Sequence, residues 1–325
     1  MKKVHPILSP CIEDLNKIES VLHKHFASYV PFITEVTEYI LFAGGKRLRP
    51  LLTVLCAKLC GKSDSKLYEL SVVPEYLHAA SLLHDDVIDE GELRRGQPPA
   101  YKKWGNKAAI LSGDFLYARA IYIASGFGDV RIAQTIAETV SLMSEGEVLQ
   151  LLRAKDIYFD EETYNDVIFR KTAALILASC KIGGLWAGVS DIKVNALSDY
   201  GLKLGLAFQM IDDLLDYIAD TDELGKKVGT DLAEGKITLP VILAFNRLKD
   251  EEQKRLIDIF MTSEKNQDDF FWVKEQLIKT GAVKDTKEKA ITLVKDALRG
   301  LELFDNCLER KILEDIAWYV IERKK

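Results

Sequence analysis

The sequence predicts an all-α protein, and two observations carry that expectation. Apolar residues recur every three or four positions through nearly every segment of the 325 residues, the spacing that lines one face of a helix. No run alternates apolar and polar residues as a half-buried strand requires. A third observation bears on organisation. Proline is scarce, at 8 of 325, and no Ser/Gly-rich linker or low-complexity tract marks a seam, so residues 1–325 are expected to form one domain.

The elements follow in order. Between 12 and 26, Leu15, Ile18, Val21 and Leu22 mark an amphipathic helix. A second helix, about 32–42, stops at Gly44-Gly45, and Lys46-Arg47-Leu48-Arg49-Pro50 leads into an apolar run at 51–59. Pro50 suits a first helical turn. Three cations therefore precede a helix N-terminus, whose free N–H groups favour an anion; a solvated basic loop is the plainer reading of the same residues. The next helix starts near 71–74 and ends in Leu82-Leu83-His84-Asp85-Asp86-Val87-Ile88-Asp89, with Gly91 as the expected C-cap. Asp85 and Asp89 stand one turn apart on one face, with Asp86 turned aside. Arg94-Arg95-Gly96 follows. Helices at 108–124 and 130–153 come next, the second holding Glu145-Gly146-Glu147 and Gln150 in an otherwise apolar stretch. One helix over 161–179 carries Lys171-Thr172 in its middle, and a long one over 193–219 carries Phe208-Gln209-Met210-Ile211-Asp212-Asp213-Leu214-Leu215-Asp216. Gly225-Lys226 and Gly235-Lys236-Ile237-Thr238-Leu239-Pro240 lie beyond it, and 241–325 is further helix without concentrated chemistry.

Composition excludes several function classes. Hydrophobic residues at 48% and charged residues at 29% describe an ordinary globular protein. A net charge of −6 argues against a general nucleic-acid binder, though not against a local basic pocket. Cys11, Cys56, Cys60, Cys180 and Cys307 are scattered, without Cys-x-x-Cys spacing. They read as small apolar core residues in a reducing compartment. The first six residues hold no apolar run long enough for a signal peptide. The most apolar segment, 172–189, is broken by Lys181 and Gly183-Gly184 and falls short of the ~20 residues a membrane span needs. A cytoplasmic protein without membrane insertion is expected.

The doubled Asp-Asp-x-x-Asp cluster is the chemical signal. Like charges at helical spacing cost stability, and acids at a helix C-terminus oppose its dipole, so two such clusters on apolar helices call for a counter-charge. Hard divalent cations prefer oxygen, and magnesium takes one or two carboxylates while water and substrate phosphates fill its other positions. The expectation is a metal–diphosphate site between two facing helices. His78 lies seven residues before Asp85, two turns along roughly the same face, where a phosphate contact is possible; His23 and His25 read as surface groups. A P-loop fails, because five residues separate Gly229 from Gly235 and Ile237 follows Lys236. No Gly-x-Ser-x-Gly elbow supports a serine nucleophile.

With these blocks in this order, the sequence resembles the all-trans polyprenyl diphosphate synthases, the prenyltransferases that elongate isoprenoid chains. The resemblance rests on Gly44 to Pro50, Leu82 to Asp89, Arg94 to Gly96, Gly146-Glu147, Lys171-Thr172, Phe208 to Asp216, Gly225-Lys226 and Gly235 to Pro240. It is specific over about 40–245. It implies a single-domain isoprenoid synthase fold, antiparallel helices around a central catalytic cavity, and a homodimer. It further implies that Asp85 and Asp89, with Asp86 in support, hold Mg2+ on the diphosphate of an allylic substrate. Asp212, with Asp213 and Asp216 in support, would hold metal on the opposite side. Arg94, Lys171, Lys226 and Lys236 would grip that diphosphate, and Thr172 and Gln209 would sit near the carbocation. Lys46, Arg49, His78 and Arg95 would bind isopentenyl diphosphate. At the two positions where the family's short-chain members carry bulky aromatics, this chain has Ala80 and Ser81. Small residues there imply a long-chain, octaprenyl-like product; tight helix packing is the other use of small residues. A short-chain farnesyl or geranylgeranyl synthase, a terpene cyclase and a non-catalytic subunit of a heteromeric synthase are the alternatives. A cyclase normally lacks a second diphosphate pocket such as Lys46, Arg49 and Arg95, and non-catalytic subunits typically lose acids that are intact here.

Overall fold

Helices form where the apolar periodicity places them. The computed structural model of the protein describes residues 5–94, 96–153, 156, 160–219, 229–262 and 265–323. After a short 3-10 turn at Pro6–Cys11 come α1 (Ile12–His25), α2 (Pro31–Leu41), α3 (Leu48–Leu59), α4 (Ser65–Ser71) and α5 (Val73–Ile88). Then follow α6 (Ala100–Trp104), α7 (Asn106–Ser125), α8 (Val130–Arg153) and α9 (Glu161–Ile168). A π-helical turn, Phe169–Ala173, joins α9 to α10 (Ala174–Ala187). The chain continues through α11 (Asp191–Ile218), α12 (Thr230–Glu234), α13 (Leu239–Phe245), α14 (Asp250–Met261), α15 (Gln267–Lys279), α16 (Ala282–Leu301) and α17 (Leu308–Glu322). Among the described residues there is no strand, and an isolated bridge pairs Arg94 with Gln97. Nor, among them, is any helix long and apolar enough to cross a membrane.

Local chemistry sets the helix ends. Asp64 caps α4 by accepting from the Leu67 N–H at 2.9 Å, and Asp160 caps α9 by accepting from the Thr163 N–H at 2.7 Å. Asn266 and Asp269 form a reciprocal capping box at the start of α15. Pro74 sits in the first turn of α5, where a missing N–H costs nothing. Two boundaries differ from expectation. At the end of α5 the C-cap is Asp89, and Glu90, not Gly91, takes the left-handed conformation, at φ 49°. The expected single helix over 161–179 is interrupted by the π-helical turn.

The chain divides into two units. The first comprises residues 1–143, 175–201 and 300–315. Its centre is α3, whose Leu51, Leu52, Val54, Leu55, Cys56 and Ala57 are all buried, as expected of a helix that is apolar nearly all round. Gly183 on α10 lets that helix approach α3: a Cβ there would lie 2.5 Å from the Thr53 carbonyl oxygen. The Thr53 hydroxyl donates to the Ser179 carbonyl oxygen at 2.8 Å across the same contact. Gly113 on α7 similarly leaves room for the His84 ring of α5, with a Cβ placed 2.3 Å from its Nε2.

Of the three cations expected before α3, Arg49 lies within its first turn, because the helix starts at Leu48, and Arg47, its N-cap, is structural. Its backbone is left-handed (φ 51°) and its side chain is 8% exposed. It donates to Glu75 at 2.8 Å, to Glu19 at 2.9 and 3.1 Å, and to the Leu41 carbonyl oxygen at 2.8 Å. It therefore ties α1, α2 and α5 together. All five cysteines are free, and Cys11, Cys56 and Cys180 are buried.

The second unit comprises residues 144–174, 202–299 and 316–325. Within it α13 packs on α9 and α15, Lys289 of α16 pairs with Glu161 of α9 at 2.6 Å, and the Tyr217 and Phe270 rings stack with centroids 6.3 Å apart.

The Arg47 network makes a direct prediction. Arg47→Ala strands the Glu75 carboxylate, which is 7% exposed, and is expected to cost about 3–5 kcal/mol. Glu19→Ala removes a partner that is 43% exposed and is expected to cost about 1 kcal/mol or less. Urea denaturation of the two variants checks the ordering; equal losses would contradict it.

Candidate active site

The first acidic cluster closes α5. Asp85 is half-buried, Asp89 is exposed, and Asp86 points inward and is buried. Arg94 donates to Asp86 Oδ1 at 2.5 Å, while Asp86 Oδ2 is buried with no hydrogen-bond partner. Burial pushes the Asp86 carboxyl above its ordinary range, Arg94 pulls it back down, and Asp89 adds to the rise. The same unit carries Lys46, which is exposed, and Arg49 and His78, which are half-buried. One turn below the cluster Ala80 is fully buried, and the Ser81 hydroxyl donates to the His78 carbonyl oxygen at 3.0 Å. Arg95 and Lys226, both expected at the site, lie outside the described residues.

In the second unit the π-helical turn positions Lys171 and Thr172. It is pressed between α8 and α11 at two glycines. A Cβ on Gly146 would lie 2.9 Å from the Lys171 nitrogen, and one on Gly205 would lie 2.6 Å from the Ala173 Cα. Single π turns inside helices recur at functional sites. Here Lys171 and Thr172, adjacent in sequence, serve different neighbours. Lys171 Nζ reaches Glu147 at 2.9 Å and Gln150 at 3.1 Å on α8, which accounts for polar residues in that apolar helix. Thr172 donates to Gln209 Oε1 on α11 at 2.7 Å.

The second acidic cluster sits near the end of α11. Gln209 Nε2 donates to Asp213 Oδ1 at 2.7 Å and the Tyr164 hydroxyl donates to Asp213 Oδ2 at 2.6 Å. Burial pushes the Asp213 carboxyl up to about 7; those two hydrogen bonds oppose the rise, and Asp212 and Asp216 add to it. Asp216 accepts from the backbone N–H groups of Thr230 at 3.3 Å and Asp231 at 2.9 Å, which fastens the start of α12 to α11. Burial raises Asp216 too, against those two N–H groups. Asp231 is held well above the usual carboxylate range by burial and then by Asp213 and Asp216, with Lys236 opposing. Lys236 is half-buried and pairs with Glu234 at 2.5 Å. Asp212 accepts from Arg323 at 3.0 Å, and Arg323 also lies over the Phe208 ring.

Sequence reasoning missed Tyr164, Asp231 and Arg323. Asp231 alone left a signal, an acid in a Gly/Lys-rich segment next to the cluster. Tyr164 and Arg323 contact residues 49 and 111 positions away, a separation no local pattern encodes.

The donor set fits magnesium. It consists of hard carboxylate oxygens: in the first unit one oxygen of Asp86 is buried without a partner, and in the second Asp213 and Asp216 are raised by burial and by their acidic neighbours. Among the described residues no three His, Cys, Asp or Glu side chains converge as a cage. Magnesium does not need one, since phosphate oxygens and water complete its octahedron.

Comparison with known proteins places the chain in a family. A family model for polyprenyl synthetases matches residues 30–277. The octaprenyl diphosphate synthase of Escherichia coli (strain K12) is 36% identical over 313 residues, 96% of this chain and 97% of that one. Among solved structures, a decaprenyl diphosphate synthase from Rhodobacter capsulatus matches with a TM-score of 0.92 at 36% identity, over 98% of both chains. A polyprenyl synthase from Caulobacter crescentus CB15, complexed with calcium and isoprenyl diphosphate, matches with a TM-score of 0.91 at 36% identity over 100% of both chains. The chain belongs to the polyprenyl synthetase family, with its all-α fold, and is an enzyme of prenyl transfer.

Gly146 offers a test of how the π turn is seated. Gly146→Ala places a methyl group against Arg170 Cβ and the Lys171 nitrogen, both at 2.9 Å, and is expected to cost about 1–3 kcal/mol by overpacking. Gly91→Ala meets nothing within 4 Å and is expected to stay within about 0.5 kcal/mol of the parent. Chemical denaturation of the pair checks this, and a neutral Gly146→Ala would show that the contact is slack.

Proposed function

We propose that the protein condenses isopentenyl diphosphate with an allylic diphosphate to make a long-chain, octaprenyl-like polyprenyl diphosphate. The observation that carries this reading is the doubled Asp-Asp-x-x-Asp cluster, complete in all six acids, in a chain of the polyprenyl synthetase family. Asp85 and Asp89, with Asp86 behind them, and Asp212, with Asp213 and Asp216, would hold magnesium on the allylic diphosphate. Magnesium, when bound, supplies positive charge that stabilises the departing diphosphate. Arg94, Lys171, Lys226 and Lys236 grip the same group from the protein side, sharing its charge as the allylic C–O bond ionises. Lys46, Arg49, His78 and Arg95 hold isopentenyl diphosphate so that its double bond lies against the allylic carbon. Thr172 and Gln209 supply polar oxygen near the cation. The proton lost after attack goes to the released pyrophosphate, so no side chain need act as nucleophile. The contribution of the protein is position, charge and exclusion of water.

Product length follows from the space below the first cluster. Ala80 is buried and small, and Ser81 is small beside it; Leu77, Leu142 and Met143 are the candidate deeper floor. Incubation with Mg2+, farnesyl diphosphate and labelled isopentenyl diphosphate is expected to give a long polyprenyl diphosphate, and EDTA is expected to abolish it. Ala80→Phe is expected to shorten the product, read against chain-length standards. A product distribution unchanged in that variant would remove the chain-length argument. A cyclic hydrocarbon, or no turnover, would overturn the reading itself.

The protein acts as one catalytic domain and as a homodimer in this reading, in the cytoplasm. The five free cysteines support a reducing compartment. In this reading the apolar side chains that α7 exposes, Ile110, Leu111 and Tyr122, are ones a partner chain would cover. Leu111→Asp is expected to shift sedimentation from dimer toward monomer, and a monomeric parent protein would contradict the dimer.

A further inference from the structure

The residues Tyr164, Asp213, Gln209 and Thr172 form one hydrogen-bonded chain within the second unit, and its direction is fixed by chemistry. The chain starts deep, at Tyr164, 2% exposed, and Asp213, 7% exposed. It ends at Thr172, which is only partly buried. In its ionised form, which both of its hydrogen bonds favour, Asp213 has acceptors only. Asp213 therefore takes an O–H from Tyr164 on one oxygen and an N–H from Gln209 on the other, at 2.6 and 2.7 Å. An amide has one nitrogen and one oxygen to place. With its NH2 committed to Asp213, Gln209 has only its oxygen to offer Thr172, and at 2.7 Å the Thr172 hydroxyl must donate. Its one proton is then spent. What Thr172 Oγ1 offers any further neighbour is lone pairs.

We infer that Tyr164 and Asp213 are positioning residues that fix the polarity of Gln209 and Thr172, so that Thr172 presents an oxygen acceptor, and not a hydroxyl proton, to the positive charge that develops on the allylic carbon. This rests on the proposed reaction, in which that charge forms near Thr172 and Gln209. Asp213 acts here through the two hydrogen bonds that its oxygens accept. Without the Tyr164 hydroxyl, the carboxylate is pinned on one side only. It can then rotate, and the Gln209 amide can turn over, offering its NH2 to Thr172 and turning the threonine proton outward. Preorganised dipoles aimed at developing charge are where electrostatic catalysis is lost or kept.

The test compares affinity for two farnesyl-length diphosphates, one with a protonated nitrogen at the position of the cationic carbon and one with a neutral carbon there. Wild type is expected to prefer the ammonium compound. Tyr164→Phe, which removes one oxygen atom from a buried ring, is expected to reduce that preference roughly tenfold and to lower kcat roughly ten- to a hundredfold. The KM for the allylic substrate is expected to change little. Thr172→Val is expected to lose the preference and Thr172→Ser to keep it. Tyr164→Phe is expected to add nothing further in the Thr172→Val background, the non-additivity of residues acting as a unit. Two results would overturn the inference: an unchanged preference in Tyr164→Phe, or independent effects in the double variant. Wild type that elongates normally but shows no preference for the ammonium compound would sink this inference alone. Wild type that does not elongate would sink the proposed reaction first.

Discussion

A carboxylate at the C-terminal end of a helix meets a partial negative charge, and α5 and α11 each carry three aspartates in or beside their last turns. Most of what surrounds them can be read as a response to that cost. Arg94 covers one oxygen of Asp86, Arg323 covers Asp212, backbone N–H groups cover Asp216, and Tyr164 with Gln209 covers Asp213. The compensation is incomplete. Asp86, Asp213, Asp216 and Asp231 all stay above their ordinary range, with burial as the leading cause in each. A cation that accepts oxygen ligands relieves such a site, and a diphosphate that brings further oxygen ligands lets magnesium bind with few protein donors.

The rest of each unit holds these groups still. Glycines do this by permitting contact: Gly113 admits His84, Gly183 admits the α3 backbone, and Gly146 and Gly205 close on the π turn that carries Lys171 and Thr172. A side chain at any of these positions would push apart the helices whose ends bear the chemistry. Arg47 does it by charge, anchoring the start of α3 to Glu75 on the helix that ends in Asp85 and Asp89. Both devices are costly if broken, because close packing and buried ion pairs tolerate little loss.

Most of the fold was legible because helix periodicity and terminal chemistry are local. The long run from 130 to 153 was placed to the residue, and the helix around the second cluster to within two residues. Where the sequence misled, the cause was tertiary. The break at 169–173 depends on glycines of α8 and α11 pressing from two sides, which a single apolar run does not reveal. Glu90 takes the left-handed turn expected at Gly91. Arg47 looked like its neighbours Lys46 and Arg49, and only Glu19, Glu75 and the Leu41 carbonyl distinguish it. At the site, the acids and Lys171-Thr172 announced themselves by pattern, whereas Tyr164 and Arg323 did not, being a tyrosine and an arginine of ordinary surroundings brought in by the fold.

Both acidic clusters are proposed to serve a single metal-bound diphosphate. Calorimetric titration of inorganic pyrophosphate into the protein, with and without Mg2+, tests it most directly when wild type is set beside Asp85→Ala and Asp212→Ala. One Mg2+-dependent pyrophosphate per chain is expected, with that affinity lost in each variant. No Mg2+-dependent pyrophosphate binding in wild type, or Mg2+-dependent binding that survives at wild-type affinity in either variant, would contradict it.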